Sequence, residues 1–423
     1  MNVLTEVIPN PAPMRDARIV HAMVWTGTGA ILTDATIEVR DGGIVAVAEG
    51  PGDRGEKDVP TFDASGAWIM PGMIDGHLHL WGARTPHPVH WVVDPRMPNA
   101  FRAVSDVAKI LQSGFTTVRE AGGPLGPSLR QVIDHGDLRG PRIVPAYLGL
   151  SRTGGHADCH TLPAEWVEEQ PYMGLIADGP LAVRKAVRTV GREGGRWVKI
   201  WASGGVLSEH DDPTHVHFFP DELAAIVSEA HAIGLPVGAH SESLLSAKLA
   251  IEAGVDAIEH GFELDDEACQ RMAEQGIVLV STLSVLRRYV DWDRGELTDA
   301  QRETSRGLLT MAEESLRRAV AAGVQVAMGS DSFAEPMTPF GRSADELAYM
   351  TDAGVDAETC LRAATVVAAR LAGVERQVGT IEVGKRADLV VLDGDPRETV
   401  AQLSTSRRPV GVMKDGVWEV RPA

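Results

Sequence analysis

Near the amino end of the chain, apolar residues fall at every second position. Ala35-Thr-Ile-Glu-Val-Arg40 alternates in this way, Asp41-Gly-Gly43 reads as a tight turn, and Ile44-Val-Ala-Val47 reads as the returning strand. The carboxyl end has the same rhythm: Ala387-Asp-Leu-Val-Val-Leu392, Val410-Gly-Val-Met413, the turn Lys414-Asp-Gly416, and Val417-Trp-Glu-Val420. The pattern predicts a small β-sandwich domain formed by both chain ends, residues 1–70 and 380–423.

Between the ends the rhythm changes. Short apolar runs predict strands at Ala67 to Ile74, Phe115 to Val118, Arg142 to Tyr147, Trp197 to Trp201, Pro236 to Ala239, Ala257 to Glu259, Val278 to Ser281 and Gln325 to Met328. The stretches between them have helical spacing; in Asp221 to Ile233, for example, Leu223, Ile226, Val227 and Ala230 share one face. Two of these helices reach stop signals at Gly234 and Gly254. Eight such units predict an α/β fold, a (β/α)8 TIM-type barrel over residues 71–379. A doubly wound open sheet fits the same alternation, although no glycine-rich fingerprint follows the first strand.

A length of 423 residues suits one large domain and one small one. With 40 basic and 59 acidic residues the formal charge is −19, which disfavours nucleic acid or an anionic membrane as a partner and leaves a small-molecule substrate. Cys159, Cys269 and Cys360 are too few and too scattered for a disulfide framework, and none forms a Cys-x-x-Cys pair. Met1 to Arg15 lacks the apolar centre of a signal peptide, and no run of about 18 apolar residues occurs. Together these features predict a cytoplasmic protein.

In a barrel, catalytic groups come from the carboxyl-terminal ends of the strands. Those ends carry Asp75-Gly-His77-Leu-His79 on strand one, His240 on strand five, His260 on strand six and Asp331 on strand eight. Residues two apart in an extended segment point the same way, so His77 and His79 can reach one ion. One strand-end histidine alone is more often structural. Four histidines and a carboxylate so placed supply the donors that zinc and related cations take, and they predict a metal site. The remaining histidines, such as His87, His90, His210 and His231, read as surface or loop residues, and His215 and His217 only mimic a metal pair. Lys199 lies inside the apolar run Trp197 to Trp201, where an unpaired ammonium is costly to bury. It either pairs with a carboxylate such as Glu120 or Asp75, or reacts with carbon dioxide to become an anionic carbamate that bridges two metals.

Three motifs, Pro71-Gly-Met-Ile-Asp-Gly-His-Leu-His79, Gly114-Phe-Thr-Thr-Val-Arg-Glu120 and Gly379-Thr-Ile-Glu-Val-Gly-Lys-Arg-Ala-Asp388, carry a family resemblance. The chain resembles the amidohydrolase superfamily, and within it the imidazolonepropionase-related, prolidase-like branch that cleaves dipeptides and N-acyl amino acids. The resemblance implies two divalent cations, zinc first and manganese or cobalt as alternatives. It places His77 and His79 on the more buried ion, His240 and His260 on the second, and carbamylated Lys199 between them. Asp331 would ligate the first ion and move the proton. The implied reaction is hydrolysis of an amide or peptide bond by a metal-bridging hydroxide, with a cyclic amide, lactone or carbamate as the alternative substrate. His156, Arg152 and Lys248 are the candidate substrate-binding residues, and a homo-oligomer is the expected assembly. One motif departs from many relatives: Ala239-His-Ser-Glu-Ser243 replaces an Ala-His-x-His-Gly-like stretch. Glu242 stands two residues after His240 rather than the three usual in deaminases, which argues against deamination.

Overall fold

The computed structural model describes residues 15–50, 59–169, 171–207, 211–403 and 408–422; the stretch read for a signal peptide, apart from Arg15, and His210 lie outside them. Strands from both chain ends form one eight-stranded sheet. Ala17–Trp25 and Ile31–Arg40 run antiparallel, and Gly43–Glu49 returns with Gly43 opposite Arg40. The turn between them uses Asp41 (φ +45°) and Gly42 (φ +73°), two left-handed residues whose twist matches the flanking strands. Trp68–Pro71 pairs with Ala17–Trp25 on one side and with Leu389–Leu392 on the other. Gly411–Lys414 and Val417–Val420 complete the sheet. Hydrogen bonding runs through one continuous sheet, and the Ile44 N–H also donates to the Lys385 carbonyl (2.7 Å). Ile19, Ile37, Ile69, Leu389, Val391 and Met413 are its buried core.

The middle of the chain supplies parallel strands: β1 (Met73–Leu78), β2 (Phe115–Glu120), β3 (Arg142–Pro145), β4 (Val198–Trp201), β5 (Val237–Ser241), β6 (Ala257–His260), β7 (Val278–Ser281) and β8 (Val326–Met328). β1 to β3 form one sheet. β4 to β8 form another, with the short strands Gly149–Ser151 and Gly174–Ile176 along its edge. Main-chain hydrogen bonds also link the two sheets: Arg196 N–H to the Pro145 carbonyl (2.7 Å), Asp331 N–H to the His77 carbonyl (2.8 Å) and His79 N–H to the Ser332 carbonyl (2.8 Å). Helices fill the connections, including Pro220–Ala232 where the spacing predicts one. Among the described residues, no helix is long and apolar enough to cross a membrane.

One predicted strand divides and another shortens. The run Ala67 to Ile74 is one strand of the end sheet followed by the start of β1, with the break at Gly72. A Cβ there would lie 2.2 Å from the Thr116 hydroxyl, so only glycine lets the chain pass between the sheets. The third run keeps strand only from Arg142 to Pro145, and beyond left-handed Tyr147 (φ +62°) a short strand that it does not include begins at Gly149. Arg142, at the start of β3, ties the parallel sheet to the end sheet through Asp388 (2.8 Å) and Asp415 (2.9 Å).

One buried carboxylate organises the strand-seven corner. Glu346 accepts hydrogen bonds from the Ser281 hydroxyl (2.6 Å) and from the main-chain N–H groups of Leu283 (2.9 Å) and Ser284 (2.7 Å). It thereby caps the helix Leu283–Asp291, whose Thr282 N-cap makes no side-chain capping bond. Glu346→Ala strands these donors in the interior at about 1–3 kcal/mol each. The expected loss is about 3 kcal/mol or more of stability, read as a lower urea midpoint; an unchanged midpoint would refute the assignment.

Candidate metal centre

The ends of β1 and β8 are laced together by the main chain. Asp75 Oδ1 accepts from the N–H groups of His77 (3.1 Å) and Ser330 (3.0 Å), and the His79 N–H donates to the Ser332 carbonyl (2.8 Å). This lacing brings Asp331 Oδ1 within 3.6 Å of His77 Nε2 and 3.5 Å of His79 Nε2. Donor atoms of His77, His79 and Asp331 all lie within 4.8 Å of one another. From His77 the imidazoles continue as a chain: His260 at 4.8 Å between ring centroids, then His240 at 4.6 Å, then His156 stacked on His240 at 4.9 Å. His260 (φ +73°) and Asp331 (φ +45°) both hold left-handed backbone, which costs a non-glycine residue roughly 1–2 kcal/mol.

Each of the four strand-end imidazoles has one nitrogen anchored. His77 Nδ1 donates to Glu259 Oε2 (2.7 Å), His79 Nδ1 donates to the Gly122 carbonyl (2.8 Å), and His260 Nδ1 is held by the Thr282 hydroxyl (2.7 Å). All three therefore present Nε2. His240 is reversed: its Nε2 meets the Gly204 carbonyl (3.0 Å), which leaves Nδ1. Burial, reinforced by neighbouring cationic groups, holds His77, His240 and His260 well below the ordinary imidazole range and His79 at about 3. Neutral rings with one tethered nitrogen are the form that binds a metal.

Lys199, on β4, is fully buried beside them, with Nζ 3.4 Å from His77 Nε2. Among the described residues no carboxylate forms an ion pair with it, and burial lowers its pKa to about 8. Neither anticipated partner is used that way. Asp75 is engaged with main chain, and Glu120 accepts from the Gly122 N–H (3.0 Å) while its Oε2 has no partner. Burial also raises the Asp331 carboxyl to about 7. Converging neutral nitrogens, a nearby carboxylate and an amine with no carboxylate at ion-pair distance fit a divalent-cation centre.

Above the cluster lies a cavity walled by Trp81, Trp91, Trp201, Phe262, Tyr289 and Phe333. Its polar lining includes His156 and Glu242, and no arginine contributes to it among the described residues. His156 is fitted tightly: a Cβ on Gly205 would lie 2.4 Å from its Cε1. Arg152 and Lys248 do not reach this cavity. Arg152 turns back to the Thr153 carbonyl (2.9 Å), and Lys248 pairs on the outside with Asp265 (2.7 Å) and Glu267 (2.6 Å). His217 is not a surface residue: it is buried, with Nε2 3.0 Å from Asp211 Oδ1. The aromatic wall escapes the sequence reading, which weighs Glu242 chiefly against deamination, yet a signal exists. Trp81 follows His79, and Glu242 follows His240, by two residues, the spacing that keeps extended residues on one face.

Residues 68–418 match the model of the Amidohydrolase family. The chain is 31% identical to the ochratoxinase of Aspergillus niger over 368 residues, covering 82% of this chain and 75% of that protein. It is 27% identical to the imidazolonepropionase of Symbiobacterium thermophilum over 400 residues, covering 86% and 84%. Its fold is similar to the crystal structure of a Xaa-Pro dipeptidase with methionine bound in the active site (TM-score 0.86, 30% identity, 95% of this chain and 99% of that one). A match of this extent, over a chain whose strand ends gather the donors described above, means that the protein belongs to the amidohydrolase family and is a hydrolytic enzyme.

Proposed function

We propose that this hydrolase cleaves the amide bond of dipeptides or N-acyl amino acids at a centre for two divalent cations, zinc first. The observation that carries the reading is the chain of tethered imidazoles beside Lys199, a buried amine with no carboxylate paired to it. In this reading residues 71–379 form a closed (β/α)8 barrel and the chain ends a second domain, and the protein works as a homo-oligomer on a small-molecule substrate. His77, His79 and Asp331 hold one cation, and His240 and His260 the other. Lys199, its pKa lowered to about 8 by burial, is neutral often enough near pH 8 to take up carbon dioxide with loss of a proton, and as the carbamate it would help hold the cations.

Bound there, the cations supply Lewis acidity, lowering the pKa of water toward neutrality and polarising a carbonyl. The chain does the rest. The aromatic wall excludes water and packs an apolar side chain of the substrate. His156 orients the substrate carbonyl or carboxylate. Asp331 takes a proton from the attacking water and returns it to the departing nitrogen.

The alternative substrate, a cyclic amide, lactone or carbamate, draws support from one observation: the cavity offers a substrate carboxylate no arginine among the described residues. A library of dipeptides and N-acyl amino acids assayed beside carbamates and lactones decides between the two. Turnover of the second group alone would overturn the leading reading.

Three outcomes test the centre. Metal analysis of the wild-type protein should give close to two ions per chain, and one ion would refute the bridge. Lys199→Ala should lose most activity and metal, with partial recovery when acetate supplies the missing carboxylate; loss with no change in metal content would argue for a merely structural lysine. Asp331→Asn should keep nearly all its metal while turnover falls about 100-fold or more, the range of a lost general acid–base.

A further inference from the structure

A regular strand points adjacent residues to opposite faces, yet Glu259 and His260, neighbours on β6, both reach His77. The left-handed φ of +73° at His260 breaks the alternation and lets both side chains turn inward. Glu259 is fully buried and both its oxygens are engaged: Oε2 by His77 Nδ1 (2.7 Å), Oε1 by Arg119 Nη1 (2.8 Å). The same Arg119 nitrogen also donates to the carbonyl of Gly76 (3.2 Å), the residue just before His77. Arg119 thus holds both the carboxylate that grips the His77 ring and the main chain that carries it.

The barrel interior is shaped around this pair. A Cβ on Gly238 would lie 2.3 Å from Glu259 Oε1 and 2.7 Å from Arg119 Nη2, so β5 leaves the space empty there. On its other side the guanidinium lies over the Trp197 ring, 3.3 Å from the centroid. Such a layer is ordinarily filled by branched aliphatic side chains. A buried ion pair there gives little net stability over apolar residues of similar volume, because desolvation offsets its attraction. The pair is therefore poorly explained as a stabilising device. The anchors also differ in charge: His79, His240 and His260 lean on neutral oxygens, whereas His77 leans on a carboxylate.

We propose that Glu259 and Arg119 are positioning residues for the metal centre: Glu259 fixes the tautomer and orientation of His77 so that Nε2 faces the cation, and Arg119 fixes Glu259. The proposal rests on the reading of His77 as a metal ligand. Carboxylates that hold a ligand histidine typically raise metal affinity by roughly 10–100-fold.

The test measures the zinc dissociation constant of the full-length protein by competition with a chromophoric chelator, beside the melting temperature of the metal-free form. Glu259→Gln should bind zinc roughly 10–100-fold more weakly. The double variant Arg119→Met with Glu259→Leu replaces the pair by apolar bulk, so its metal-free form should still fold, melting lower only by the loss of the His77 Nδ1 partner, while its zinc affinity falls by a similar factor. The cobalt-loaded variants should also show altered visible absorption relative to wild type. Wild-type zinc affinity in a folded variant overturns the proposal, and so does failure of both variants to fold, which assigns the pair to the fold alone. A wild-type protein that holds no zinc would instead sink the metal reading beneath it.

Discussion

Water is all but excluded from the place where this protein gathers its nitrogen donors, and the rest of the site follows from that. A buried imidazole must satisfy one nitrogen and stay neutral, or it is not tolerated there. The chain meets this demand differently at each ring: a carboxylate for His77, carbonyls for His79 and His240, a hydroxyl for His260. Each anchor also decides which nitrogen stays exposed. His240 is reversed relative to the others, so the second half of the cluster presents a different ring edge from the first. Tautomer choice, often a secondary detail, is here the means by which several strands agree on one focus.

The anchors are only as good as the backbone that presents them. β1 carries two of the rings, and it is fixed at both ends of its length. Gly72 passes it directly from the end sheet, and the hydrogen bonds from Asp331 and His79 tie its far end to the segment after β8. The left-handed residues His260 and Asp331 sit where the chain must depart from regular strand geometry to bring a donor inward. Local backbone cost and site geometry are the same fact seen twice.

Much of this was legible from residue order. Strand-end histidines are visible because parallel strands bring their carboxyl ends to one side, and that mapping needs only correct strand positions. The turn at Asp41 and Gly42 was equally plain, since two left-handed residues leave a strong mark. Other features were hidden for physical reasons. Gly72 looks like any glycine in an apolar run; only the approach of Thr116 reveals it as a boundary. Arg152 and Lys248 are cations near the right strands, but long side chains go where a local acceptor waits. Lys248 found Asp265 and Glu267 on the outside. Glu346 and Arg119 bond to groups more than 60 and 100 residues away in sequence, where no local pattern reports them.

The end sheet also bears on how the chain is made. Trp68–Pro71 lies between Ala17–Trp25, made earlier, and Leu389–Leu392, synthesised more than 300 residues later. Throughout elongation that edge stands open, its N–H and C=O groups unpaired, while the segment it delivers into β1 awaits its partners. Arg142 likewise waits for Asp388 and Asp415. A late portion of the chain is therefore what locks an early one, and a ribosome that stalls before residue 389 leaves a nascent chain with an unprotected strand beside its future catalytic core.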